Sequence, residues 1–106
     1  MANHRYQLVL EFVESNDESD DCRELLDLLE AAFEDQPEVL VDGYDSGGGY
    51  FNLFIHTSTP LATFEVAKSM LDRERAGVAF RSGYRNFKLD DYVPVHPPGL
   101  KQFNLR

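Results

Sequence analysis

Side-chain chemistry needs a nucleophile, a base or a ligand set at working distance, and this chain has few candidates. Its one cysteine, Cys22, and the histidines His4, His56 and His96 show no metal-ligand spacing, and neither C-x-x-C nor H-E-x-x-H occurs. The acidic run at 14–21, ESNDESDD, lacks the glycine and the twelfth-position glutamate of a calcium loop. No G-x-S-x-G elbow presents a serine. A Cys–His dyad is disfavoured because Cys22 falls on the apolar stripe of a helix. The expectation is therefore no catalytic residue, no metal and no cofactor.

Two glycine features invite a phosphate-binding reading, and context argues against both. A phosphate loop opens a helix, where free N–H groups and the helix dipole meet the anion. After Gly47-Gly48-Gly49 comes a strand-like run, YFNLFIHT, and no Gly-Lys-Ser/Thr follows. Residues that tolerate positive φ are what a hairpin requires, so the triplet reads as a turn. The second feature is Gly77–Arg81, GVAFR, which resembles the phosphate-binding loop of acylphosphatases. It begins the fourth strand instead of joining the first strand to the first helix, and Asn86 is only five residues beyond Arg81. Acylphosphatase activity is not expected.

The elements that must position any site follow from periodicity. Residues 5–13 alternate as a strand, with Tyr6, Leu8, Leu10 and Phe12 on one face and Gln7, Val9, Glu11 and Val13 on the other. A helix near 19–35 carries Cys22, Leu25, Leu26, Leu29, Ala32 and Phe33 as one apolar stripe, with Pro37 beyond it. Strands are expected at 38–45 and 50–57. A second helix near 60–76 has Thr59 as N-cap, Pro60 at its first position, Arg73 and Arg75 in its last turn and Gly77 as its stop. Its buried stripe reads Leu61, Phe64, Ala67 and Leu71, widened by Val66 and Met70. A strand over 77–85 and a short edge strand over 91–97, limited by Pro94, complete the order. The order β-α-β-β-α-β predicts an α+β, ferredoxin-like sandwich with an extra C-terminal edge strand. Residues 1–96 form one domain, and 97–106 an extended C-terminal tail.

That arrangement leaves one sheet face without helices. Period-two counting puts Tyr50, Asn52, Phe54 and His56 there, beside Val9, Glu11 and Val13. Glu11, Asn52 and His56, with Arg85, are the open-face candidate cluster. They are either ordinary cross-strand surface neighbours or a surface for a ligand or partner. The apolar members suggest an interface and hence a homodimer. The alternative is that Leu100, Phe103 and Leu105 of the tail fold over the face.

Charge narrows the partners. With 10 basic and 19 acidic residues the net charge is −9, which argues against nucleic acid. Residues 1–53 hold 14 acids and 2 bases, whereas 54–106 hold 5 acids and 8 bases. The acidic first helix and its approach, Asp17, Glu18, Asp20, Asp21, Glu24 and Asp27, are the candidate surface for a basic protein partner. The bland explanation is a solvated face that keeps the protein dissolved. No signal peptide or membrane span is expected from the sequence, and a lone cysteine fits a reducing cytoplasm.

One wider resemblance spans residues 42–96. The stretch DGYDSGGGYFNLFIHTSTPLATFEVAKSML, followed by AFRSGYR and DDYVPVHP, resembles a group of small bacterial proteins of unknown function. The shared features are an Asp-Gly pair, a glycine turn, an Asn-x-Phe-Ile run, a Pro-started helix and a late Tyr-Arg. The resemblance implies the same fold and a bacterial origin, and carries over no catalytic residue. In character the chain is also similar to small acidic immunity proteins that neutralise toxins. The expected function is a non-enzymatic binding protein, immunity-like in character, and the alternative is a small-molecule sensor or enzyme on the open sheet face.

Overall fold

The computed structural model describes residues 5–13 and 19–105, with the side chains of residues 19–22 outside the description. Asp17 and Glu18 therefore lie outside the described residues, as do the side chains of Asp20, Asp21 and Cys22. The elements run β1 (Tyr6–Val13), α1 (Ser19–Ala32), β2 (Leu40–Gly47), β3 (Tyr50–Thr57), α2 (Pro60–Glu74), β4 (Phe80–Asn86) and β5 (Val93–His96).

The strands make one antiparallel sheet in the order β2-β3-β1-β4-β5, so β1 is central and pairs with β3 and β4 along nearly its whole length. This α+β architecture is compatible with the ferredoxin-like expectation. Leu8, Leu10 and Phe12 of β1 and Phe51, Leu53 and Ile55 of β3 point to one face, where they bury against Leu25, Leu29 and Phe33 and against Phe64, Ala67, Met70 and Leu71. Phe12 stacks between Phe51 and Phe80, with ring centroids 5.1 and 5.6 Å away.

The glycine triplet is a tight hairpin. Gly47 pairs with Tyr50, so the connection has two residues, Gly48 at φ 62° and Gly49 at φ 87°. Positive φ at both central positions matches the twist of the flanking strands. Both sheet edges are irregular. The register of β2 shifts between Val41 and Gly43, leaving Asp42 as an extra residue, and the four-residue β5 includes Pro94.

The helices differ from expectation in two details. Helix α1 ends at Ala32, and Phe33 continues the buried stripe from the following turn. At the start of α2, Thr59 occupies the N-cap position, but its side chain makes no capping bond. Thr57 supplies the hydroxyl instead, accepting from the Thr59 N–H at 3.0 Å and lying 2.7 Å from the buried Thr63 hydroxyl. Thr63 takes an inward position, and Leu61, expected in the core, is 57% exposed.

Candidate functional site

Strand register sets rows of side chains across the helix-free face, and beyond the end row of Gly47, Tyr50 and Val13 lie three more. Asp45, Asn52, Glu11 and Arg81 form the first, one residue from each of β2, β3, β1 and β4. Gly43, Phe54, Val9, Gly83 and Pro94 form the second. Leu40, His56, Gln7 and Arg85 form the third. The four open-face candidates thus share a face as expected, but fall in two rows: Glu11 beside Asn52, and His56 across Gln7 from Arg85.

Glu11 is no surface carboxylate. Its side chain has no exposure, and Arg81 Nε donates to its Oε1 at 2.9 Å. A buried carboxylate costs several kcal/mol unless paired, and this guanidinium, itself a quarter exposed, offsets that cost. Asn52, at 3% exposure, keeps its Oδ1 buried with no hydrogen-bond partner among the described residues. His56 is held differently. Its ring and that of Phe87 stand nearly perpendicular with centroids 4.9 Å apart, and its Nε2 is 3.7 Å from the Asp42 carboxylate at the bulge. Arg85 donates through Nη1 to the Leu89 carbonyl at 3.0 Å and lies over Phe87 and Tyr92.

The face is also covered within the monomer. Tyr92 donates its hydroxyl proton to Gln7 Oε1 at 2.9 Å. Beside it, Phe103 of the tail is 2% exposed, edge-on to Tyr92 at 5.4 Å and 5.1 Å from the Arg81 guanidinium. Its ring sits on Gly83, where an added Cβ would be 2.6 Å from ring atoms. Arg81 Nη2 adds a hydrogen bond to the Asn104 carbonyl at 3.1 Å. This corrects the expected apolar patch. Val9, paired across from Gly83, is fully buried, while Val13 remains 68% exposed.

Of the acidic candidates, Glu24 and Asp27 are described. Both are exposed; Glu24 forms a 2.7 Å ion pair with Arg75 at the end of α2, and Asp27 lies 4.0 Å from Arg23. Glu30, Glu34, Asp35 and Glu38 extend the exposed acidic surface beyond them.

Arg81, Gly83 and Tyr92 are site residues that the sequence reading does not single out. Phe103 sits on the face as in the alternative of a tail folded over it, with Leu105 left 44% exposed. The available signal for Phe103 was Gly83: a glycine in mid-strand often marks a close approach by another part of the chain.

Chemically, the face offers acceptors, two guanidiniums and aromatic surface, and the helix carrying Cys22 lies on the opposite side of the sheet. Among the described residues no three His, Cys, Asp or Glu side chains are grouped to hold a metal ion, and no helix is long and apolar enough to cross a membrane. No family model, curated protein or solved structure matches the chain, so the resemblance over residues 42–96 rests on those residues alone.

Proposed function

We propose that this chain is a ferredoxin-like, non-enzymatic binding protein of the bacterial cytoplasm, immunity-like in character, whose acidic first helix meets a basic protein partner and which forms a homodimer. The observation that carries this reading is the one-sided charge of α1 and the turns after it. Glu24, Asp27, Glu30, Glu34, Asp35 and Glu38 are exposed against the single base Arg23, while Leu25, Leu29 and Phe33 fill the opposite side. Like charges on a rigid helix give a partner's basic groups a fixed target and speed encounter at low salt. The occupied state of the sheet face supports binding over catalysis, because Glu11 and Arg81 already engage each other.

The test is capture of partners by the wild-type chain and by an Asp20→Lys, Glu24→Lys, Asp27→Lys variant. Basic proteins should be retained by the wild type, lost by the variant, and released as salt rises from about 0.05 to 0.5 M. Equal capture of the same proteins by both chains overturns the proposal.

A second reading is favoured by the buried Asn52 Oδ1, which meets no hydrogen-bond donor among the described residues. It makes the far sheet face a small-molecule site, with Asn52 accepting a proton donor beside Glu11, His56 and Arg85. A thermal-shift panel separates the two, since a ligand at about 100 times its Kd adds about 2.7 kcal/mol.

A further inference from the structure

Where α1 and α2 lie side by side they leave a trough between them. Two hollows of about 320 and 240 Å³ lie along it, and both are lined by Ala32, Met70 and Arg73, so they are continuous. The floor is apolar: Met70 is buried, and Leu28, Ala32 and Val66 are half-buried. The walls are low, because the exposed side chains beside that floor include Ala31 and Ser69. Along α2 the trough runs from Glu65 to Glu74, which is about 14 Å of helix.

One sign of charge dominates around this floor. Among the described residues Arg73 is the one base in the lining, and its Nε stands 3.5 Å from the Glu74 carboxylate; with Glu65 the lining is net negative. On α1 and just past its end, Asp27, Glu30 and Glu34 are exposed beside Ala31. A second copy of this chain would bring like charges together here, which works against it. The complementary occupant carries cations on either side of an apolar ridge. Two neighbouring helices accept a third by ridge-into-groove packing. A helix with apolar side chains at i, i+3 or i+4, and i+7 needs about 11 Å to seat them, which the trough provides. Met70 supplies an unbranched thioether that adapts to such side chains. Resting on the basic-partner reading above, we propose that the trough seats an amphipathic helix of that partner. Its apolar stripe lies on Leu28, Val66 and Met70, and its lysines or arginines meet Asp27, Glu30 and Glu34. Charge draws the partner in, and the trough selects which part of it docks.

The test is fluorescence anisotropy with two labelled lysine–leucine peptides of equal composition. One sets its leucines on a single helical face, and the other scatters them. The wild type should bind the amphipathic peptide about tenfold more tightly than the scattered one, the effect of burying roughly one leucine. A variant carrying Ala31→Gln and Ser69→Gln fills the trough at exposed positions without changing charge. It should lose that preference and bind the scattered peptide as the wild type does. Should the double variant fail to fold by circular dichroism, Ser69→Gln alone should diminish the preference. A folded trough variant with its preference intact overturns the docking site and leaves the basic-partner reading standing. Equal binding of both peptides by the wild type does the same, since recognition is then by charge alone. Binding of neither peptide overturns both.

Discussion

Replacing Gly83 by Ala should destabilise the protein, and the same replacement should stabilise it once Phe103 is gone. The added Cβ would lie 2.6 Å from two ring carbons of Phe103 and 2.9 Å from its Cβ, so ring or strand must move. The strand, β4, is internal and paired on both sides with β1 and β5, whereas the tail belongs to no strand, so the tail yields. The loss is bounded by the burial of one phenylalanine, about 1.5–3 kcal/mol. Against it stands the smaller unfolded-state entropy of Ala, about 0.4–1 kcal/mol at a position whose backbone suits it. The Gly83 φ lies outside the left-handed region, so that gain is available. Gly83→Ala alone should cost about 0.5–2.6 kcal/mol by difference. In a Phe103→Ala background it should add about 0.4–1 kcal/mol, because no ring remains to be displaced. The chain has no tryptophan, so urea unfolding followed by far-ultraviolet circular dichroism is the assay. An equal cost in both backgrounds would refute the argument, since the strain would then lie in the strand and not under the tail.

Leu29, fully buried where α1 meets the sheet and α2, should cost about 2–5 kcal/mol on change to Ala by urea unfolding; under about 1 kcal/mol would mean its cavity is not in the core. Arg81→Met should cost about 2–4 kcal/mol, because it removes the 2.9 Å partner of a buried carboxylate. Adding Glu11→Gln to it should cost less than the sum of the single changes, and strict additivity would contradict the pairing. His96 stacks on Phe80 at 4.4 Å, and burial, helped by the nearby Lys68 charge and opposed by Asp72, lowers its pKa below 6.5. The folded form thus resists a proton that the unfolded chain accepts. Its stabilising share is full above about pH 6.5 and is lost as pH falls toward the folded pKa. A His96→Gln variant should show a shallower stability loss than the wild type between about pH 7 and pH 5.5, and identical slopes would rule this out.

The sheet was readable because alternation is a local property. Phe51, Leu53 and Ile55 face the helices and Asn52, Phe54 and His56 face away, as period-two counting requires. The phase of α2 was less readable at its start. Thr63 looks polar in sequence, yet its hydroxyl meets Thr57 across the β3–α2 junction and turns inward in place of Leu61. Glu11 and Asn52 were placed on the right face but given the wrong environment. Their burial depends on distant chain segments: Arg81 lies 70 residues from Glu11, and which apolar residue of the tail would seat on the face, Phe103 and not Leu105, has no periodicity to announce it. The acidic helix was legible as charge, whereas its tie to Arg75 was not, because that ion pair joins two helices far apart in sequence.

The two irregular sheet edges bear on how large an assembly this chain can build. A sheet grows without limit when an edge offers an even ladder of donors and acceptors to the next molecule. The edge at β2 is interrupted by the extra Asp42, with Asp45 three residues on, and the edge at β5 is four residues long with a proline that has no N–H to give. An incoming strand meets broken spacing and charge at one side and a missing donor at the other. Fibre growth by strand addition is therefore blocked at both ends, despite the exposed Leu40 and Tyr44 on the β2 edge. Concentrated protein should scatter light as closed, countable particles and leave amyloid-binding dyes dark.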